Sequence, residues 1–270
     1  MRWIASVGCV RNVGYAGNVR TLRESLAVTG ALIASLAFGG ATHLLRAQNT
    51  PVNASALRAG QFVYDNTLER DVSTTHIGTR AVSVALGTYA GSSVWVLAET
   101  RTLDAGGVST DSLFTDTTTL RPLHWSSVIG AARLLVEFRG DSAYGGTSGP
   151  PGRHSLVTGI PRGTIVSAAQ LETILRLVPL QPAWEDSAST LFVTLGSTMV
   201  LPTRMAVIGE DRVRVPAGQF DCWVVSVRAA DATRGLYWVT KRDPIVVRSA
   251  LDVPAMGGAQ FVSALSRIGR

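Results

Sequence analysis

The repeated alternation of apolar and polar residues constrains the fold of this chain more than any other feature. The pattern is clearest between residues 131 and 139, where Ala132, Leu134, Val136 and Phe138 alternate with Arg133, Leu135, Glu137 and Arg139. Successive side chains of a β-strand point to opposite faces, so this spacing predicts a strand with one buried face. Turn residues separate the segments at short intervals, which predicts a mainly β, antiparallel sheet.

Further strands are predicted at 61–66, 81–86, 93–101, 189–195, 205–215, 219–228, 236–240 and 245–251. In the second of these, Val82, Val84 and Leu86 are expected to share one face. The Thr-, Ser- and Asp-rich stretch 104–119 predicts a hairpin with exposed polar strands, and the Gly- and Pro-rich stretch 143–153 predicts a flexible loop. Because strands resume after that loop, we predict a single domain from 57 to 265, preceded by a flexible lead-in at 48–56.

One segment breaks the alternation and predicts a helix. Ser167 and Gln170 match the capping-box spacing, in which the serine oxygen caps the helix start and the glutamine bonds back. Leu171, Ile174, Leu175 and Val178 follow at helical spacing, and Pro179 ends the pattern. A lone helix of this length is marginal in water, so we expect it to dock on the sheet.

The N-terminal segment has the pattern of an export signal. Residues 1–24 contain four arginines and one glutamate, and Ser25 to Thr42 contain no charge. A charged stretch followed by an apolar one predicts either a signal peptide or an uncleaved membrane anchor over residues 1–47, with cleavage after Ala47 or Ala41. If uncleaved, residues 25–45 are the predicted membrane contact. We therefore expect an exported protein of the periplasm or outer cell envelope.

The basic charge of the chain does not indicate nucleic-acid binding. The formal net charge is +6, but residues 1–47 hold five arginines against one glutamate, which leaves 20 basic and 18 acidic residues in the rest. A nucleic-acid-binding domain normally concentrates its basic excess on the folded part of the chain. We therefore predict no nucleic-acid partner.

Residues with catalytic or metal-binding chemistry are few and scattered. His76, His124 and His154 have no second ligand at metal-site spacing, and the sequence has no nucleophile elbow, phosphate loop or dinucleotide fingerprint. Cys222 lies in an apolar run, which favours a buried, inert thiol. The carboxylates of Asp111 and of the Glu185–Asp186 pair are expected in solvated loops. We predict no catalytic residues, no metal and no cofactor.

The C-terminal third has a recognisable order of motifs. A strand, the turn Pro216-Ala217-Gly218 and a second strand are followed by Leu236-Tyr-Trp238 and then by Asp243-Pro244 before a final strand. This order resembles the exported family called domain of unknown function 3108, with its sharp motifs between 212 and 248. Pro216 fixes one backbone angle and Gly218 can adopt a positive φ, so the two strands reverse tightly.

The resemblance implies a half-barrel like those of the lipoprotein carriers LolA and LolB, in which a curved antiparallel sheet wraps around one or two short helices. It implies no catalytic residue, because the family has none established. The apolar residues expected on the concave face, as core or as ligand lining, are Trp95, Leu134, Val136, Phe138, Leu171, Ile174, Leu175, Trp223 and Trp238.

Three functions fit this sequence and differ in the interior they predict. The first is a non-enzymatic binder or carrier of a lipid, acyl chain or lipoprotein, which predicts an apolar cavity between the helix and the sheet. The second is an envelope structural or assembly factor that binds a protein partner, which predicts a filled interior. The third is an exported hydrolase, which predicts a polar pocket holding His76, His124 or His154 near a serine or carboxylate.

Overall fold

Alternation along the chain produces one continuous antiparallel sheet. The computed structural model describes residues 52–150, 152–193, 197–230, 233–253 and 256–269. The strands are β1 (Gly60–Arg70), β2 (Ser73–Tyr89), β3 (Ser92–Leu103), β4 (Val108–Asp116), β5 (Pro122–Ile129), β6 (Ala132–Arg139), β7 (Ser142–Gly149), β8 (Gly152–Gly159), β9 (Glu185–Val193), β10 (Thr198–Val215), β11 (Gly218–Ala229), β12 (Thr233–Thr240), β13 (Val246–Val253) and β14 (Ala259–Gly269). A short 3-10 helix, Ala54–Ala56, precedes β1.

The sheet is curved and open. Its 14 strands lie in the order β8-β7-β6-β5-β4-β3-β2-β1-β14-β13-β12-β11-β10-β9, so β1 and β14 pair and the two edge strands are neighbours in sequence. The mainly β fold and the curved antiparallel sheet are confirmed. The predicted signal peptide or anchor lies outside the described residues.

The connection between the two edge strands contains helix α1 (Ala168–Leu175), the α-helix of the described chain. Ile165, just before the helix, also forms a parallel bridge with Thr190, donating to Ser189 O and accepting from Leu191 N at 2.8 Å each. This bridge satisfies backbone groups on the outer edge of β9. The edge of β8 has no neighbouring strand in the sheet.

Two sequence predictions about the sheet are wrong. The stretch 143–153, predicted as a loop, forms most of β7 and the start of β8, because cross-strand pairing overrides the weak strand propensity of glycine. The stretch 104–119 supplies β4, whose Leu113 and Thr115 are fully buried rather than exposed. Val82, Val84 and Leu86 lie at alternate positions of β2 and so share one face, as predicted, although Leu86 near the end of the strand is 65% exposed.

The predicted hairpin at Pro216 is formed as expected. Val215 pairs with Gly218 across a two-residue turn, and Gly218 has a φ of +142°. The turn is also attached to the last strand, since Ala217 N donates to Leu265 O at 3.0 Å.

Candidate functional site

The concave face of the sheet carries a continuous row of apolar side chains. Register pairing places Val84, Leu97, Leu113, Trp125 and Val136 directly beside one another on β2 to β6. All five are buried. We call these five residues the apolar row, and they form the wall against which an apolar group inside the half-barrel packs.

Helix α1 occupies the space in front of this wall. Ser167 Oγ accepts from Gln170 N at 3.2 Å, as predicted for the cap. Gln170 does not bond back to Ser167: its Oε1 accepts from Val166 N, and its Nε2 donates to Leu120 O on the chain between β4 and β5. The helix start is therefore held to the sheet side of the core by hydrogen bonds as well as by apolar contacts.

A cluster of charged side chains lies on the same concave face, next to the apolar row. Arg80 on β2 bridges two carboxylates: its Nη2 lies 2.8 Å from Glu99 Oε2 on β3, and its Nη1 donates to Glu172 Oε1 on α1 at 2.7 Å. Arg101 pairs with the other oxygen of Glu99. The side chains of Arg80, Glu99 and Glu172 are 3%, 6% and 7% exposed, so the two ion pairs of Arg80 are shielded from solvent, whereas Arg101 is 35% exposed.

The environment changes the acidity of the paired groups. Burial acts against charge on Arg80, but the carboxylates of Glu172 and Glu99 outweigh it and hold the pKa well above its usual value. Burial likewise opposes the ionised form of Glu99, and the Arg101 and Arg80 guanidiniums lower the pKa below its usual value. Both groups therefore stay charged inside the protein.

Asp111 on β4 is the fifth member of this buried charge cluster, and it is held differently. Its Oδ1 accepts from Trp125 Nε1 at 2.9 Å. Burial and the neighbouring Glu99 carboxylate raise the pKa of Asp111 to about 7. The expectation that Asp111 lies in a solvated loop is wrong, because β4 pairs on both sides and turns residue 111 inward beside Glu99. Asp111 is partly buried, and Asp186 on β9 is buried.

The space beside α1 is almost filled in the part of the chain that the structure describes. The cavity beside α1 is lined by Phe62, Tyr64, Val82 and Val84 of the sheet, by Ala169, Glu172, Thr173 and Arg176, and by Ile245 and Val246, and its volume is about 10 Å³. That is room for no more than one water molecule. All residues of α1 from Ala169 to Leu175 are buried, so the helix itself fills the concavity.

Most residues predicted to line the concave face come together in one buried cluster. Trp95, Val136, Phe138, Leu171, Ile174 and Leu175 belong to it, and Leu134 and Trp238 pack against it while partly buried. Trp238 also donates from Nε1 to Asp211 Oδ2 at 2.9 Å. Trp223 is partly buried outside this cluster, with Lys241 Nζ 4.3 Å from the ring centroid. A ligand-lining role for these residues stays a prediction.

The histidines lie apart from the buried charge cluster. His76 Nδ1 is 2.6 Å from Asp104 Oδ2, and His124 Nδ1 is 2.7 Å from Glu137 Oε1. His154 lines a cleft of about 180 Å³ between β8 and the start of β10, together with Ser155 and Ser197 but with no carboxylate. Among the described residues, no group of three or more His, Cys, Asp or Glu side chains is placed to hold a metal ion.

Cys222 is buried, as predicted. Burial and the carboxylates of Asp211 and Asp221 raise the pKa of its thiol to about 12. A thiol with this pKa is almost entirely protonated at neutral pH and is a poor nucleophile. In the part of the chain that the structure describes, no helix is long and apolar enough to span a membrane.

Sequence reasoning missed the buried charge cluster. Three of its members lie at inward positions of strands, each two residues from an apolar neighbour: Arg80 from Val82, Glu99 from Leu97, and Asp111 from Leu113. A charge in phase with a buried apolar residue on three adjacent strands is the signal that could have indicated it. Because exposed strands were predicted at 104–119, Asp111 was not recognised as an inward residue.

Comparisons with known proteins establish the family and the fold. The profile of the family described as "Protein of unknown function (DUF3108)" matches residues 64–258. Among solved structures, a beta-barrel-like protein of domain of unknown function DUF1849 from Brucella abortus is 14% identical, with a TM-score of 0.51 over 81% of this chain and 98% of that one. At this identity the likeness concerns the fold alone.

A second solved structure is much less similar. It is described as an outer membrane lipoprotein-sorting protein domain from Vibrio parahaemolyticus, is 8% identical, and has a TM-score of 0.22 over 78% of this chain and 84% of that one. No sequence among the curated proteins is significantly similar to the chain.

Proposed function

Since the chain belongs to the DUF3108 family of proteins of unknown function, we propose its role from its own geometry: it is a non-enzymatic protein of the cell envelope that binds an acyl chain, as part of a lipid or a lipoprotein anchor, on the concave face of its sheet. The observation that carries this proposal is the apolar row facing α1. The bound chain takes the place that the helix occupies in the structure.

The energetics of exchange between helix and ligand are favourable to this proposal. Burying an acyl chain gains about 0.8 kcal/mol per methylene, so a chain of ordinary length supplies on the order of 10 kcal/mol. Burying the four apolar side chains of the predicted helix face supplies a comparable amount, at about 1.5–3 kcal/mol each. A ligand can thus replace the helix without leaving the apolar row exposed to water.

The helix is short enough to be displaced. α1 has eight residues, a length at which an isolated helix is marginal in water. Its flanking segments connect the two edge strands of the open sheet, so its movement breaks no pairing between neighbouring strands. The helix start is attached by the bridge at Ile165 and by the hydrogen bond from Gln170 Nε2 to Leu120 O.

Binding of a fluorescent fatty acid to the purified protein tests the proposal. We expect saturable binding, together with faster hydrogen exchange in residues 168–175, because the helix leaves the interior as the chain enters. Leu135→Lys is the matched control: Leu135 is 53% exposed on the opposite, convex face, so its replacement should leave interior binding unchanged. Absence of both co-purified lipid and fatty-acid binding would contradict the proposal, and so would loss of binding in Leu135→Lys.

A second function is favoured by a different observation, the filled interior next to an unpaired sheet edge. Strand β8 has no neighbour on its outer side, and Val157 on it is 74% exposed, with Tyr144 and Leu135 exposed nearby on the convex face. Exposed strand edges pair with extended segments of other proteins. We propose, as the alternative to acyl-chain binding, that this edge docks a protein partner of the envelope.

A photo-crosslinking amino acid at position 157 distinguishes this alternative. A discrete crosslinked product in cells from position 157, absent from position 72, is the expected result if β8 is a docking edge. Val72 is fully exposed at the turn between β1 and β2 and serves as the control. Equal products from both positions, or none from position 157, would contradict docking at β8.

A further inference from the structure

The buried charge cluster has one more acid than it has arginines. Arg80 and Arg101 are balanced by Glu99 and Glu172, and Asp111 is a third carboxyl group beside them. We propose that the attachment of helix α1 to the sheet depends on a proton: Asp111 in its neutral form leaves Arg80 on Glu172, and Asp111 in its ionised form weakens that pairing. This inference rests on the proposed function, because it names what regulates access to the concave face.

Glu172 is the point at which the helix meets the charges of the sheet. It is the one charged residue in the helix sequence AAQLETIL, and its partner Arg80 lies on β2. Arg80 also pairs with Glu99, so any charge that draws this guanidinium toward β3 and β4 draws it away from α1. The strength of the helix attachment is therefore set by the charge balance on those two strands.

Asp111 is placed to change that balance. Glu99 lies directly opposite it on β3, Trp125 of β5 donates a hydrogen bond to it, and the charges of Arg101 on β3 and Arg80 on β2 act on it without an ion pair. When Asp111 ionises, two guanidiniums serve three carboxylates in an interior where charges are weakly screened. Ionised Asp111 then repels Glu99 and attracts both arginines. The attraction draws the Arg80 guanidinium away from Glu172 and weakens that ion pair.

Asp111 changes its charge within the pH range that cells experience. Burial and Glu99 raise the pKa of Asp111 to about 7, so a shift between pH 6 and pH 8 changes its charge in the folded protein. In a water-filled interior, with the helix released, the group returns toward its ordinary pKa. Release of the helix is thus coupled to loss of the proton and is favoured as the pH rises.

Hydrogen exchange of the purified protein at pH 6 and pH 8, without added lipid, tests this coupling. After correction for the intrinsic exchange rates, we expect opening of residues 168–175 to increase about tenfold from pH 6 to pH 8, because the attached state carries the extra proton at pH 6 and has lost most of it above pH 7. Strand residues 222–227 serve as the internal reference and should change much less, since they lie outside the segment that is released.

Two substitutions and a control make the test specific. Asp111→Asn, which keeps an oxygen for Trp125 Nε1, should abolish the pH dependence. Trp125→Phe removes a hydrogen bond that favours the ionised form of Asp111. The increase in helix opening should therefore occur at a higher pH in this variant. Asp104→Asn changes an exposed carboxylate paired with His76 and should leave the wild-type response intact.

The outcomes separate this inference from the proposed function. Helix exchange that is independent of pH, or that changes equally in residues 222–227, overturns the proton-dependent attachment whatever the protein binds. A tenfold response that disappears in Asp111→Asn supports it, and does so even if fatty acids fail to bind, in which case only the proposed function is contradicted.

Discussion

The interior of this half-barrel has two regions that differ in chemistry although they share the same strands. On β2, β3 and β4 the apolar row supplies Val84, Leu97 and Leu113. The buried charge cluster begins at the next inward position on β3 and β4, and one inward position further, beyond Val82, on β2. The apolar row packs side chains that need no specific partner. Each charged side chain needs a particular counter-ion, so this region fixes how the helix sits, whereas the apolar row only favours its burial.

The difference between the apolar contacts and the ion pair explains how helix α1 can be buried and still be displaced. Apolar contacts are non-directional and can be replaced by any apolar group of similar volume. The Arg80–Glu172 pair is directional, and its net contribution to stability is small because desolvation offsets the attraction. Arg80 Nε is buried and has no hydrogen-bond partner among the described residues, which adds to the cost of the cluster.

The largest effect is expected from removing the central cation. Arg80→Met leaves Glu172 buried without its counter-ion, and such a change typically costs about 3–5 kcal/mol. Chemical denaturation followed by tryptophan fluorescence should show this loss in the free energy of unfolding. Arg212→Met is the control, because Arg212 and Asp221 form an exposed pair with both side chains 69% accessible, and it should have no measurable effect.

The double variant Arg80→Met/Glu172→Met sharpens the comparison. With both charges gone, Arg101 still neutralises Glu99, and two apolar side chains fill the space. Replacement of a buried ion pair by apolar residues is often neutral or stabilising. We therefore expect the double variant to recover most of the stability lost in Arg80→Met, and a double variant as unstable as the single one would mean that the ion pair itself stabilises the fold.

A somewhat smaller loss, about 3 kcal/mol, is expected in the apolar region from Leu175→Ala. Leu175 is fully buried on α1, so its truncation removes apolar burial and leaves a cavity that the rigid sheet cannot close. Leu135→Ala on the convex face should cost almost nothing, because Leu135 is already 53% exposed. Denaturation midpoints of the two variants give the comparison, and equal losses would contradict the assignment of the two faces.

The two regions also differ in how far the sequence predicts them. Alternation at 131–139 correctly predicts the inward residues Val136 and Phe138, and the cap at Ser167 correctly predicts the helix start. These signals are local, because a strand or a helix turn determines which side chains share a face.

The charged region could not be predicted in the same way. Arg80, Glu99 and Glu172 are separated by up to 92 residues, and only the fold brings them together. A single charged residue at an inward position is indistinguishable in sequence from an exposed one, because burial depends on a partner elsewhere in the chain. The glycines of β7 were missed for a related reason: pairing with β6 and β8, not local propensity, makes that segment a strand.

The smallest expected change in the free energy of unfolding, about 2 kcal/mol, comes from replacing Asp111. Unlike the changes in the apolar row, it depends on pH. The ordinary pKa of this carboxyl is 3.8 and the pKa in the folded protein is about 7. Between these values the folded protein keeps a proton that the unfolded chain has lost, so Asp111 lowers the stability as pH rises from about 4 to 7. The full shift of about three units corresponds to ~4 kcal/mol. Asparagine places a buried amide where the neutral carboxyl fits, at a cost of about 2 kcal/mol at every pH. Asp111→Asn should therefore be about 2 kcal/mol more stable than the wild type at pH 8 and about 2 kcal/mol less stable at pH 3. Unfolding curves of Asp111→Asn and Leu175→Ala at both pH values check this: the difference from wild type should vary with pH for the first and stay constant for the second, because an apolar truncation changes no proton binding.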